Sequence, residues 1–173
     1  MSSDFALALH TVTSNLEIAI ADLGTAGLGF DGAIDHGGTL QVHSQSWLLG
    51  REMSLKLHIC LQEFMAERRW QDCRWLAVAQ GIGSYAGTRM GVVVARTLAQ
   101  QLEIPLYGFD CDEISTYAQA NGFVNQAAAL LLLAQRRYAV NFRNDHASEP
   151  TPQTSQALKS HWSSVLPLYA ESV

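Results

Sequence analysis

A strand, a glycine-rich turn and a helix follow one another between residues 75 and 102, and this unit limits the folds open to the chain. The apolar run at 75–79 predicts a buried strand, and the apolar pattern at 92–102 predicts a helix. Between them stands the sequence Gly-Ile-Gly-Ser-Tyr-Ala-Gly-Thr-Arg-Met-Gly, residues 81–91. Glycines let a backbone take positive φ and approach a neighbour closely, and a helix start offers unpaired N–H groups to an anion. The junction therefore serves either to hold a phosphate or to shape a protein surface.

Strands and helices are predicted on both sides of this unit, and they indicate an α/β protein. The predicted strands are 5–9 and 16–23, which form a β-hairpin, then 39–47, 74–80, 106–109, 126–134 and 138–142. The predicted helices are 50–69, 88–102 and 114–120, the last capped by Asp112. Residues 22–38 are predicted to form a glycine-rich loop and residues 144–160 a polar tail.

Composition narrows the class of protein. A chain of 173 residues that is 48% hydrophobic is long enough for one compact domain, or for one domain and a fragment of a second. Its net charge of −5 argues against autonomous nucleic-acid binding. Three dispersed cysteines, no secretory pattern and no apolar run of membrane length predict a soluble cytoplasmic protein.

The helix at 50–69 carries two apolar faces. One face, which is predicted to pack on the sheet, has helical spacing and comprises Met53, Leu57, Cys60, Leu61 and Phe64. Leu55, Ile59 and Ala66 lie roughly opposite. This second stripe indicates either a partner helix or apolar residues scattered on the surface.

Small residues recur every four positions along the next helix, at Gly87, Gly91, Ala95 and Ala99. Such a row lets another backbone come close. It indicates either tight packing of the helix on its own sheet or a close interface with a second helix.

Catalytic motifs are few. The sequence contains no helical histidine pair, no C-x-x-C, no G-x-S-x-G and no P-loop, since Thr88-Arg89 stands where a P-loop has Lys-Ser/Thr. Gly81 and Gly83 after a strand, with Asp110 at the end of the next one, partly match a dinucleotide-binding fingerprint. The third glycine of that fingerprint is misplaced.

The glycine sequence resembles the G-P-G-S-F-T-G-L-R-I-G signature of the TsaB (YeaZ) family. The matching signature residues are Gly81, Gly83, Ser84, Gly87 and Arg89. Supporting similarities lie at 8–11, 50–54, 95–99, 104–108 and 131–137. The resemblance spans roughly residues 5 to 142.

The resemblance implies an actin-like ATPase fold of the ribonuclease H-like and sugar kinase/Hsp70 type. Residues 1–110 would form its N-terminal domain and residues 111–173 a shortened second domain. It also implies a scaffold subunit that is no catalyst by itself and that pairs with a TsaD-like transferase, works with a TsaE-like ATPase and meets tRNA only through the complex. The same face supports a homodimer. Carried over, the partner interface comprises Leu55, Ile59, Gly87, Gly91, Ala95 and Ala99.

Three residues depart from the family pattern. His10 stands where active relatives have an aspartate for metal and phosphate, Ala134 replaces a second aspartate, and Met53 replaces a histidine. A neutral imidazole is a poor ligand for magnesium, which prefers oxygen. We therefore expect no resident cofactor or metal, and ATP or ADP binding only at the level of a complex. The alternative function is a kinase-like or dinucleotide-binding enzyme that uses the Gly81–Gly87 loop.

Overall fold

The computed structural model describes residues 4–23, 41–66, 68–81, 85–145 and Val165. Residues 24–38 of the predicted loop, Gly83, Ser84 and most of the predicted tail lie outside these residues. In chain order the strands are β1 (Phe5–His10), β2 (Asn15–Asp22), β3 (Val42–Leu48), β4 (Cys73–Gln80) and β5 (Leu106–Asp110). The helices are α1 (Met53–Met65), α2 (Tyr85–Leu102), α3 (Cys111–Asn121) and α4 (Gln126–Asp145).

The five strands form one mixed sheet in the order β3-β2-β1-β4-β5. The predicted hairpin is confirmed, because β1 and β2 pair antiparallel from Phe5 opposite Asp22 to His10 opposite Glu17. β1, β4 and β5 run parallel. Their carboxyl ends meet at one edge of the sheet, where the glycine-rich junction and the start of α3 also lie.

Helices cover both faces of this sheet, as a mixed sheet with parallel strands requires. Leu7 and Leu9 of β1 belong to a core with α1 and α2. Ala6 and Ala8 point to the other face and share a core with α3 and α4. α3 and the part of α4 up to Ala134 therefore share a core with the sheet. Val165, which is 3% exposed, belongs to the core on the α1 and α2 side.

Several predicted boundaries shift in the structure. α1 is shorter than predicted, because residues 50–52 form a 3₁₀ turn before it. Asp112 is not the cap of α3. The carboxylate of Asp110 accepts a hydrogen bond from the backbone N–H of Asp112, since the helix begins directly after β5.

The prediction of two strands at 126–134 and 138–142 is wrong, because both segments belong to α4. A continuous apolar run does not by itself distinguish a buried strand from a buried helix. Here the run consists of alanine and leucine, which are strong helix formers and carry no β-branch. The side chain of Asn125 also caps the helix, accepting from the N–H of Ala128 at 2.9 Å.

Candidate functional site

The glycine-rich junction begins with a backbone that only glycine adopts easily. Gly81 follows β4 with φ of 139°, outside the range favoured by other residues. A side chain there would also overlap the thiol of Cys111 at the start of α3. Two independent constraints, conformation and space, therefore require glycine at this position.

Gly91 lets α2 approach the end of β1. A Cβ atom on Gly91 would overlap the hydroxyl oxygen of Thr11, which is fully buried. The helix is thus seated on the turn of the hairpin by the missing side chain. Close approach explains this glycine, as the small-residue row predicted, but the neighbour is the turn of the protein's own hairpin.

The small residues of the predicted partner interface on α2 face the protein's own core. Ala95 and Ala99 are fully buried in the core between α2 and the sheet, and Gly87 is buried as well. A residue with no exposed surface cannot contact a partner without rearrangement of the fold. Of the two interpretations of the row, tight packing on the sheet is the one that the geometry supports. Arg89 is exposed on the same helix.

The predicted interface residues of α1 point to solvent instead. Leu55 is 68% exposed and Ile59 is 46% exposed, whereas Met53 and Leu57 are buried against the sheet. The two exposed side chains are four residues apart and so lie on the same side of the helix. α2, which packs beside α1, adds Val93 at 56% exposure. We call Leu55, Ile59 and Val93 the outer apolar residues.

Val93 is not among the interface residues that the sequence predicts. It stands in a run of three valines, Val92 to Val94, on a helix that is apolar around most of its circumference. Val92 is fully buried and Val94 half-buried. Helical geometry turns successive residues by about 100°, so a continuous run must place at least one member outside. The continuous valine run is therefore the feature of the sequence that indicates an exposed apolar residue here.

Buried polar groups collect at the end of β1. His10 is 3% exposed, and burial lowers the pKa of its imidazole to about 4. It is therefore neutral at neutral pH, and it is not an anionic oxygen ligand of the kind that magnesium prefers. Its Nδ1 and the hydroxyls of Thr11 and Thr88 have no hydrogen-bond partner within the described part of the chain.

A second polar cluster lies at the carboxyl end of β5. Ligand atoms of Asp110, Cys111 and Asp112 lie within 4.8 Å of one another. Burial raises the pKa of the Cys111 thiol, which favours the protonated form, and the Asp110 carboxylate already caps α3. The Asp110 carboxylate therefore has a structural role at the start of α3. Because its carboxylate caps α3, Asp110 adds no support for the partial match to a dinucleotide-binding fingerprint.

Comparison with known proteins gives a family. Residues 48–158 match the family model described as "TsaD: tRNA N6-adenosine threonylcarbamoyltransferase". The match covers more than half of the chain. The chain belongs to this family. The matched region runs from the end of β3 through α1, the glycine-rich junction and α4.

The curated relative is the tRNA threonylcarbamoyladenosine biosynthesis protein TsaB of Bacillus subtilis, which is 53% identical over 36 residues. That match covers 21% of this chain and 16% of the relative. It confirms the resemblance to the TsaB (YeaZ) family that the glycine motif predicted.

Two solved structures from Pseudomonas aeruginosa also carry the name YeaZ. One is described as an uncharacterized protein similar to the peptidase YeaZ; it is 21% identical with a TM-score of 0.47, covering 64% of this chain and 44% of that chain. The other, YeaZ itself, is 20% identical with a TM-score of 0.45, covering 62% and 45%. The chain thus spans less than half the length of these relatives.

Among the described residues, no helix combines the length and the apolar character that crossing a membrane requires.

Proposed function

We propose that this chain is a scaffold subunit of the machinery that makes threonylcarbamoyladenosine in tRNA, and that it binds a TsaD-type transferase subunit. The family match and the TsaB relative support the pathway. The partner surface is the outer side of α1 and α2. One observation carries this assignment: Leu55 and Ile59 are exposed on a helix whose opposite face is already buried.

Burial of these side chains in a complex would provide the driving force. Removing an exposed leucine or isoleucine from water contributes about 1.5–3 kcal/mol when burial is complete. Interfaces depend on a few such anchors surrounded by polar residues. Polar residues also lie beside the apolar anchors here. The exposed Lys56 of α1 forms an ion pair at 2.6 Å with Glu52, which directly precedes α1.

Further elements of the proposal rest on the family resemblance. The chain works in the cytoplasm with a TsaE-like ATPase, meets tRNA only through the complex, and can use the same face for a homodimer. It adopts the actin-like, ribonuclease H-like form of the α/β fold. The division into residues 1–110 and a shortened second domain at 111–173 stays a prediction, beside a core that extends through Ala134.

Co-purification tests the partner assignment. The TsaD-type protein of the same cell is co-expressed with the tagged chain or with Leu55→Asp. The matched control is Val124→Asp, because Val124 is a 94% exposed apolar residue between α3 and α4. We expect the wild type and V124D to retain the partner and L55D to lose it. Retention by all three would place the interface elsewhere.

A second candidate is a kinase-like or dinucleotide-binding enzyme that uses the Gly81–Gly87 loop. The observation in its favour is the pair of buried hydroxyls, Thr11 and Thr88, without partners among the described residues. Neutral His10 at the end of β1 argues against a metal-bound phosphate there. Calorimetry with ATP, ADP and NAD separates the candidates. Micromolar binding by the isolated chain would favour the enzyme, and no heat of binding would favour the scaffold.

A further inference from the structure

The start of α4 is held by a carboxylate from a distant part of the chain. Glu17 of β2 is 8% exposed, and its Oε2 accepts from the N–H of Gln126 at 2.5 Å and of Ala127 at 3.3 Å. The first N–H groups of a helix have no partner within the helix, and the helix dipole favours an anion beside them. Glu17 therefore joins α4 to the hairpin.

α4 lies over His10 at this point. His10 and Glu17 are paired directly across the hairpin, so their side chains lie on the same face of the sheet. That face carries Ala6 and Ala8, which share a core with α4 residues 127–131. Val12, beyond the end of β1, is 5% exposed and belongs to the same core. His10 is thus buried between the sheet and the start of α4.

We call the contact between the start of α4 (Gln126 and Ala127) and the end of the hairpin (His10 and Glu17) the seam. The seam is polar, and some of its buried polar atoms have no hydrogen-bond partner among the described residues. His10 Nδ1 and Gln126 Oε1 are buried and have no hydrogen-bond partner among the described residues. Unpaired buried polar atoms oppose closure, because they lose hydrogen bonds to water. Closure consequently depends on the contacts that Glu17 and the neighbouring apolar side chains supply.

We propose that Glu17 is a latch: its carboxylate holds the start of α4 closed over the end of β1, and loss of that contact opens the seam to small molecules. The open seam offers the N–H groups of Gln126 and Ala127 to a small carboxylate from solution. This device lies on the opposite face of the sheet from the outer apolar residues. It is therefore independent of the proposed partner surface.

Labelling of histidines by diethyl pyrocarbonate, read by peptide mass spectrometry, tests the latch in the full chain. His43 and His58 are exposed and serve as internal references. In the wild type we expect His10 to react far more slowly than both. In Glu17→Ala, the loss of two hydrogen bonds to a charged group should raise its rate about tenfold or more, with faster amide exchange at residues 126–129.

Two controls keep the test specific. Asn125→Ala removes the cap that α4 has from its own chain neighbour, so we expect faster exchange at Ala128 and an unchanged His10 rate. Sodium formate should restore protection of His10 in E17A by filling the vacated anion position. If E17A does not fold, Glu17→Met, which has a side chain of similar length but no oxygen acceptor, provides the same comparison.

An unchanged His10 rate in a folded E17A or E17M variant would overturn the proposal. So would equal opening in N125A, or a formate concentration series without effect on E17A. Binding of the TsaD-type subunit is expected to be the same for E17A as for the wild type. If only this binding experiment failed, the result would count against the proposed function and not against the latch.

Discussion

The two helices on one face of the sheet use their apolar residues in opposite ways. On α1, Leu55 and Ile59 point to solvent at 68% and 46% exposure. On α2, Ala95 and Ala99 have no exposed surface and pack on the sheet. Both pairs follow a helical repeat of four, so periodicity alone did not separate them. Side-chain size separates them. The small residues let α2 pack closely on the sheet, and the large exposed residues of α1 form the surface that we propose for a partner.

Gly91→Trp is the substitution with the largest expected effect, and it tests whether the small residues of α2 pack within the fold. Because a Cβ there already overlaps Thr11, an indole would force α2 from the sheet. We expect a loss of about 3 kcal/mol or more in the free energy of unfolding, above the usual range for overpacking. Urea denaturation followed by circular dichroism measures it. A stable G91W monomer that merely failed to bind its partner would return Gly91 to an interface.

Acid should destabilise the fold through His10, beneath α4. The unfolded chain takes up a proton near pH 6.5, whereas the folded one does so only near pH 4. The free energy of unfolding therefore falls as the pH is lowered from about 6.5 to about 4, by at most about 3 kcal/mol. Above pH 6.5 the protonation of His10 does not affect it. The difference between wild type and His10→Asn in urea midpoints at pH 7.5, 5.5 and 4.5 isolates this contribution. Parallel pH dependences in the two proteins would contradict it.

A matched pair of substitutions on α2 sharpens the contrast between its inner and outer sides. Ala95→Leu adds three carbons to the packed core and should cost about 1–3 kcal/mol of stability. Val93→Leu adds one carbon at an exposed position, where changes stay within about 0.5 kcal/mol. Thermal unfolding of the two variants compares them directly. Equal melting temperatures would mean that the row of small residues does not face the sheet.

Most of the fold was predictable from local sequence patterns. The hairpin, the strand before the glycine-rich turn and both helices beside it follow from alternation, helical spacing and glycine placement. α4 was missed because its apolar run lacks a period, and because its decisive contact, Glu17 with Gln126, joins residues that are distant along the chain. For the candidate site, the helical spacing predicts that Leu55 and Ile59 lie away from the sheet, and both are exposed. Whether Gly91 contacts a partner or Thr11 depends on packing that the spacing does not encode.

The central claim, that Leu55 and Ile59 form the partner surface, is tested most directly by the affinity of the purified chain for its TsaD-type subunit. Biolayer interferometry would compare wild type, Leu55→Asp with Ile59→Asp, and the control Val124→Asp, each with its unfolding midpoint. We predict that the double variant keeps wild-type stability within about 0.5 kcal/mol and loses about 30-fold or more in affinity, as expected for buried anchors. V124D should bind like the wild type. Wild-type affinity in a folded L55D/I59D variant would contradict the account.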